Sequence, residues 1–263
     1  MSEGELKIKK PLSRGKTWLV NGELELIKFA LLRLEEDEEY LEETGKDELG
    51  IILLSGKVNI ELEQKSYSLG PRRDVFLDFA WGLYVPAQRT WKIKAEQNSE
   101  LALCYAPGPE KGEVVLISPK ELVVHQRGKD HFQRRVVDIM VSQVPARYLL
   151  IGETFNLPGQ WSSYPPHRHD KHNPPEEYRL EEIYFYKLKP EQGFGLQRIY
   201  NDQRTLDKVY LVENNDLIIF KEGYHPVVSA PGYWLYYLWV LAGPVRIMKT
   251  VDDPAHSWVH SLE

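Results

Sequence analysis

Apolar residues in this chain come in short alternating bursts, not in long stripes of helical period. Alternation on a period of two is the mark of half-buried β-strands. Residues 50–63 (GIILLSGKVNIELE) predict two short strands broken at Ser55-Gly56, and residues 83–85, 90–95 and 100–105 predict three more. Clusters of Gly, Pro and Asp at 70–74 and 107–112 punctuate them. The second half repeats the character, with strands predicted at 147–155, 182–189, 193–200, 208–212, 216–220, 225–230, 233–241 and 245–249. Helical signals are scarce. The best is Ser118-Pro119-Lys120-Glu121-Leu122, with Ser as N-cap and Pro at the first helical position. Many short, evenly spaced strands indicate an all-β sandwich or barrel.

Two comparable β halves suggest a duplication. Each half also carries a Gly followed by a Pro-containing segment: Gly82-Leu83-Tyr84-Val85-Pro86 in the first, Gly223-Tyr224-His225-Pro226 in the second. The polar, basic stretch 124–135 is the candidate connection. It divides the chain into an N-terminal domain, 1–125, and a C-terminal domain, 126–263. The acidic run between Leu34 and Glu48 reads as a solvated, salt-bridged face, because adjacent like charges repel unless hydrated.

Composition narrows the function. The 263 residues carry 33 basic and 39 acidic side chains, a net charge of -6, which argues against a nucleic-acid partner. The single cysteine, Cys104, lies in an apolar run and reads as a buried structural thiol. The N-terminus lacks the apolar core of a signal peptide, and no apolar run reaches membrane-spanning length. The expectation is a cytoplasmic protein with no membrane partner.

The sharpest chemical signal is Tyr164-Pro165-Pro166-His167-Arg168-His169-Asp170. The prolines disfavour a helix, and on a strand His167 and His169 face the same way. Paired imidazoles suit a divalent metal, with zinc the first choice and manganese, iron and nickel accepted by similar sets. Residues 181–186 then offer Glu182, Tyr184 and Tyr186 on one strand face, although Glu176, Glu177 and Glu181 compete as the carboxylate. His225, just after Gly223, is a remote third imidazole. The set would leave coordination positions open for a substrate. The first half has no His before position 125, so only the second can hold a histidine-based metal centre. His125 and His131 read as surface residues, His172 as pocket rim or solvent, and His256 and His260 as structural. The dense aromatics from Tyr224 to Trp239 read as core, interface or one wall of a sugar site.

The motif stretches resemble one family along nearly all of residues 152–254. They are Gly159-Gln160-Trp161-Ser162-Ser163-Tyr164-Pro165-Pro166-His167-Arg168-His169-Asp170, Glu181-Glu182-Ile183-Tyr184-Phe185-Tyr186, Gly193-Phe194-Gly195-Leu196-Gln197-Arg198-Ile199-Tyr200 and Gly223-Tyr224-His225-Pro226-Val227-Val228. Ala230-Pro231-Gly232-Tyr233, the run 236–243 and Asp252-Asp253-Pro254 continue the likeness. The family is that of the IolB-type 5-deoxy-glucuronate isomerases of myo-inositol breakdown, related to the KduI-type uronate isomerases. The resemblance implies a double cupin and a metal bound by His167, His169, Glu182 and His225. It also implies an aldose–ketose isomerisation of 5-deoxy-D-glucuronate through an enediol. Glu182 follows His169 by thirteen residues where cupins usually place the carboxylate four or five on, so 170–181 looks like an insertion over the site.

The reaction needs a base, for which Glu153, Glu177, Tyr186 and a metal-bound hydroxide are candidates. It also needs a cation for the substrate carboxylate, for which Arg198 stands first and Lys171 and Arg168 behind it. Arg168, between the two imidazoles, should point away from them. Gln197, Tyr186 and Tyr224 are candidate contacts to the sugar. A small sugar acid and further copies of the chain are the expected partners. A metal-dependent cupin oxygenase and a non-catalytic uronic-acid-binding cupin are the rival readings.

Overall fold

A computed structural model describes residues 6–262. Among them the regular structure is β-strand, with two short 3-10 segments, Asp130–Phe132 and Ser257–Leu262. The chain forms two compact units. One comprises residues 10–123 and 138–151; the other comprises residues 6–9, 124–137 and 152–262.

In the first unit a sheet runs in the order Val115–Ile117, Trp81–Val85, Asp47–Leu62, Ser99–Pro107, Lys28–Leu34, Gly15–Val20. The segment predicted as two strands is one, Asp47–Leu62. It does not break at Ser55-Gly56 but shifts register there, at irregularities between Leu53 and Ser55 and between Gly56 and Val58. A bulge bends a strand without ending it. Before the bend the strand pairs with Trp81–Val85, and beyond it with Lys65–Arg72 and Thr90–Ala95. Alternate residues Leu49, Ile51, Leu53, Val58 and Ile60 are fully buried with Leu101, Leu103, Trp91 and Ile93. This inward alternation is what fixes the register.

The acidic run is paired as expected at its tip, where Asp37 and Glu39 meet Lys94 and Lys92. Its end departs from the expectation. Glu48 is fully buried and accepts the backbone N–H groups of Arg147, Tyr148 and Leu149 at 2.7, 2.8 and 3.0 Å, and the Tyr84 hydroxyl at 3.0 Å. The Ser118–Leu122 signal yields a turn in place of a helix. The Glu121 carboxylate accepts both the Ser118 N–H and the Ser118 hydroxyl, the local capping pattern, with no helix propagating from it.

The second unit is built on a seven-stranded sheet in the order Lys7–Ile8, Leu217–Phe220, Glu181–Lys189, Trp234–Ala242, Leu149–Asn156, Arg134–Met140, Val123–Arg127, with residues 134–137 and 152–156 of two strands belonging to this unit. A four-stranded sheet, Trp161–Ser162, Val227–Ser229, Phe194–Tyr200, Asp207–Glu213, accompanies it. His167–Arg168 pairs with Val251–Asp252. Residues 245–249 form no strand; the chain there is irregular. Cys104 is buried, and burial pushes its thiol pKa well up, as an inert structural cysteine requires. Among the described residues no helix is long and apolar enough to cross a membrane.

Candidate metal centre

Glu182 stands near the start of the central strand Glu181–Lys189, flanked in register by Phe220 on one side and Leu241 on the other. It is buried between these two strands. His169 lies just beyond the short strand His167–Arg168 and reaches the same carboxylate, Nε2 to Oε2, at 3.0 Å. His225 follows the Gly223 turn, and its Nε2 lies 3.2 Å from the same oxygen. Gly223 has φ +87, and a Cβ there would sit 2.5 Å from the Tyr200 carbonyl oxygen, so only glycine makes this turn without displacing backbone. The three side chains are buried, and their ligand atoms all lie within 4.8 Å of one another. His167 stands beside this trio, its ring centroid 5.0 Å from that of His225.

The other ring nitrogens decide what the centre can hold. His169 Nδ1 is 3.0 Å from the Leu180 carbonyl oxygen, and His225 Nδ1 is 3.0 Å from the Gly223 carbonyl oxygen. A carbonyl only accepts, so both Nδ1 atoms carry the proton. In the neutral rings both Nε2 lone pairs then face one carboxylate oxygen. A single proton could bridge one ring to Glu182, but not both. His225 Nε2 makes no directed hydrogen bond despite being buried. A divalent cation satisfies both imidazoles and the acid together, and carbonyl-anchored Nδ1–H groups are the usual outer support of histidine ligands. The residues therefore fit a metal.

Electrostatics agree with that arrangement. Burial would raise the Glu182 pKa, but the adjacent His169 and His225 bring it down to about 2. Burial is the largest single influence on His169 and opposes its charge, yet the hydrogen bond to Glu182, the Glu182 charge and the Leu180 carbonyl together outweigh it, and its pKa is raised. His167, half-buried, is held well below its ordinary value by desolvation and by the two neighbouring imidazoles, and stays neutral.

A cavity of about 110 Å³ opens over the centre. Alternate positions of the sheet strands line it: Arg134 and Val136, Thr154, Glu182 and Tyr184, then Tyr237, Trp239 and Leu241. Tyr184 and Tyr237 stack with centroids 4.1 Å apart. The Tyr184 hydroxyl is 2.8 Å from Ser163 Oγ, and the Tyr237 hydroxyl donates to Ser162 Oγ at 3.0 Å. Burial pushes both phenol pKa values up, so both remain protonated donors.

The other residues singled out from the sequence lie outside this cavity's lining. Glu153 alternates with Thr154, is fully buried, and accepts the Tyr236 hydroxyl at 2.8 Å. Glu177 accepts the backbone N–H groups of Asp170 and Lys171, both at 3.0 Å, and folds the 170–181 insertion. Tyr186 donates to Gln197 Oε1 at 2.7 Å, and Gln197 Nε2 donates to the carbonyls of His225 and Pro226 at 2.6 and 3.0 Å. These two residues support the His225 segment. Arg198 makes a bidentate pair with Asp207 at 2.9 and 2.8 Å on the outer sheet. Lys171 pairs with Asp202 at 2.9 Å, and Tyr224 donates to the same carboxylate at 2.7 Å. Arg168 pairs with Asp170, Glu177 and Asp202. His172 is exposed. Thr154, Ser163, Tyr237 and Trp239 could have been selected by extending the Glu182/Tyr184 alternation across the neighbouring strands. Arg134 was hidden in a stretch that reads as a basic connector.

Two β units, one with an imidazole–carboxylate centre on its sheet, define a double cupin. The chain belongs to the KduI/IolB family, whose sequence profile matches residues 9–259. It is 41% identical over 237 residues to a 5-deoxy-glucuronate isomerase of Geobacillus thermodenitrificans, covering 89% of this chain and 86% of that one. It is 38% identical over 242 residues to the enzyme of the same name from Bacillus subtilis strain 168, covering 91% and 89%. The crystal structure of an IolB-like protein from Salmonella typhimurium LT2 superposes with a TM-score of 0.94 at 34% identity, over 98% of this chain and all of that one. The oxalate decarboxylase of Lactobacillus farciminis gives a TM-score of 0.68 at 12% identity over 96% and 89%, which shows the shared fold.

Proposed function

We propose that this protein is an aldose–ketose isomerase that converts 5-deoxy-D-glucuronate into 5-dehydro-2-deoxy-D-gluconate. The observation that carries the reading is the convergence of His169, Glu182 and His225 under a cavity, in a chain of this family. The reaction moves one proton from C2 to C1 of an α-hydroxy aldehyde and another between the two oxygens, through an enediol. His169, Glu182 and His225, with His167 beside them, would hold a divalent cation, zinc the first choice, which would supply Lewis-acid polarisation of the substrate oxygens. The Tyr184 and Tyr237 hydroxyls, protonated and held by Ser163 and Ser162, hydrogen-bond the sugar oxygens. Trp239 and Leu241 close the cavity with apolar surface and exclude water.

The test is NMR of purified, metal-analysed protein with 5-deoxy-D-glucuronate and, in parallel, D-glucuronate. The ketose should form from the former. Failure to transform either aldose acid with metal bound would refute the proposal. His225→Ala should lose bound metal and turnover together while its circular dichroism stays that of a folded β protein.

A further inference from the structure

We propose that Arg134 binds the carboxylate of the substrate, an inference that rests on the sugar-acid reading above and assigns the end of the substrate remote from the aldehyde. Of the residues lining the cavity, Arg134 is the only Lys or Arg, and Glu182 the only acid. The cationic residues suggested by sequence, Arg198, Lys171 and Arg168, lie outside that lining. A six-carbon aldose acid has its reacting carbonyl at one terminus and its charge at the other. The cavity has the same polarity. Its imidazole–carboxylate end is on strand Glu181–Lys189, and Arg134 is on strand Arg134–Met140, with Trp234–Ala242 and Leu149–Asn156 between them.

The guanidinium is held in place from behind. Its Nη1 donates to the Phe132 carbonyl at 3.1 Å. Gly128 has φ +71, and a Cβ there would lie 2.2 Å from the Phe132 oxygen and 2.7 Å from Arg134 Nη1. The turn can wrap this closely around the arginine head only without a side chain. A planar fork anchored on one side matches a carboxylate better than a mobile ammonium does.

The test compares kcat/KM for 5-deoxy-D-glucuronate and for its neutral C6-alcohol counterpart in wild type, Arg134→Met and Arg134→Lys, with metal content measured for each. The wild type should favour the acid. Arg134→Met should retain metal, lose on the order of 10- to 100-fold in kcat/KM for the acid, mainly through KM, and lose the preference for the acid. Arg134→Lys should recover part of that preference. A metal-replete Met variant that still prefers the acid as wild type does overturns the assignment. If that variant fails to hold metal, Arg134→Lys decides, since an unchanged acid KM there also overturns it. A metal-replete wild type that turns over neither compound removes the sugar-acid reading first, and the role of Arg134 with it.

Discussion

His225, like His169, lies on no strand; of the three converging side chains only Glu182 is carried by one. The position of His225 is set through its own main chain. Gln197 Nε2 takes the His225 and Pro226 carbonyls, Tyr186 holds Gln197, and Asp170 Oδ2 accepts the Gly223 N–H at 2.6 Å. The same residue, Asp170, follows His169, so one carboxylate ties the two imidazole segments together. Gln197→Ala should therefore weaken metal affinity by about 10- to 100-fold, the usual cost of removing outer support, with the fold intact. Competition with a chelator of known affinity measures this, and an unchanged affinity would show that the amide holds the barrel and not the ligand.

At the scale of elements, the strands that could be read from alternation are those with one apolar face, and most of them recur in the fold. The segment 50–63 misled because Ser55-Gly56 looks like a terminator, whereas pairing on both sides of the bend carries the strand through. The 245–249 signal failed because Val245 and Ile247 have no neighbouring strand to pair with, and β-propensity without a partner makes no strand. The residues that converge were legible in part, His169 from its spacing to His167 and Glu182 from its strand phase. The residues around them were less so. Glu153, Glu177 and Arg198 carry suitable chemistry, but sequence does not say that Tyr236, two backbone N–H groups and Asp207 already engage them. Glu48 was concealed in the same way within an acidic run. Its carboxylate accepts three successive backbone N–H groups at 147–149, so Glu48→Ala removes all three bonds, that to the buried Leu149 among them. The variant should be destabilised by about 3 kcal/mol, read from urea unfolding midpoints at unchanged slope.

At the scale of the molecule, a single cluster among the described residues is suited to a metal, and it lies in the unit that carries the cavity. In the other unit the polar group with the nearest character is Lys16. Its ammonium meets Glu42 at 2.5 Å and the Tyr105 hydroxyl at 2.9 Å, and lies 3.9 Å from the Trp18 ring centroid. Burial lowers its pKa against the opposing pull of Glu42. A built-in cation satisfies that acid, so purified protein should carry about one equivalent of metal per chain by elemental analysis, as one cluster of this kind requires. Stripping the metal exposes a pH dependence. The Glu182 pKa is depressed in the fold, so its contribution is complete above the unfolded carboxyl value and is lost as pH falls through the folded one. Metal-free wild type should lose stability progressively from about pH 5 down to about pH 2, and Glu182→Gln should fall less steeply over the same interval.

The pairing of Lys7–Ile8 with Leu217 and Ile218 bears on anyone who would excise the catalytic half as a fragment. Lys7 meets the wholly enclosed Asp216 at 2.7 Å. Scissors applied near residue 125 would discard that strand, bare the hydrogen-bonding rim of Leu217–Phe220 and strand an anion in the interior. Such a fragment is expected to precipitate, and supplying the missing N-terminal strand as a peptide or a fused tail should restore solubility, as light scattering would register.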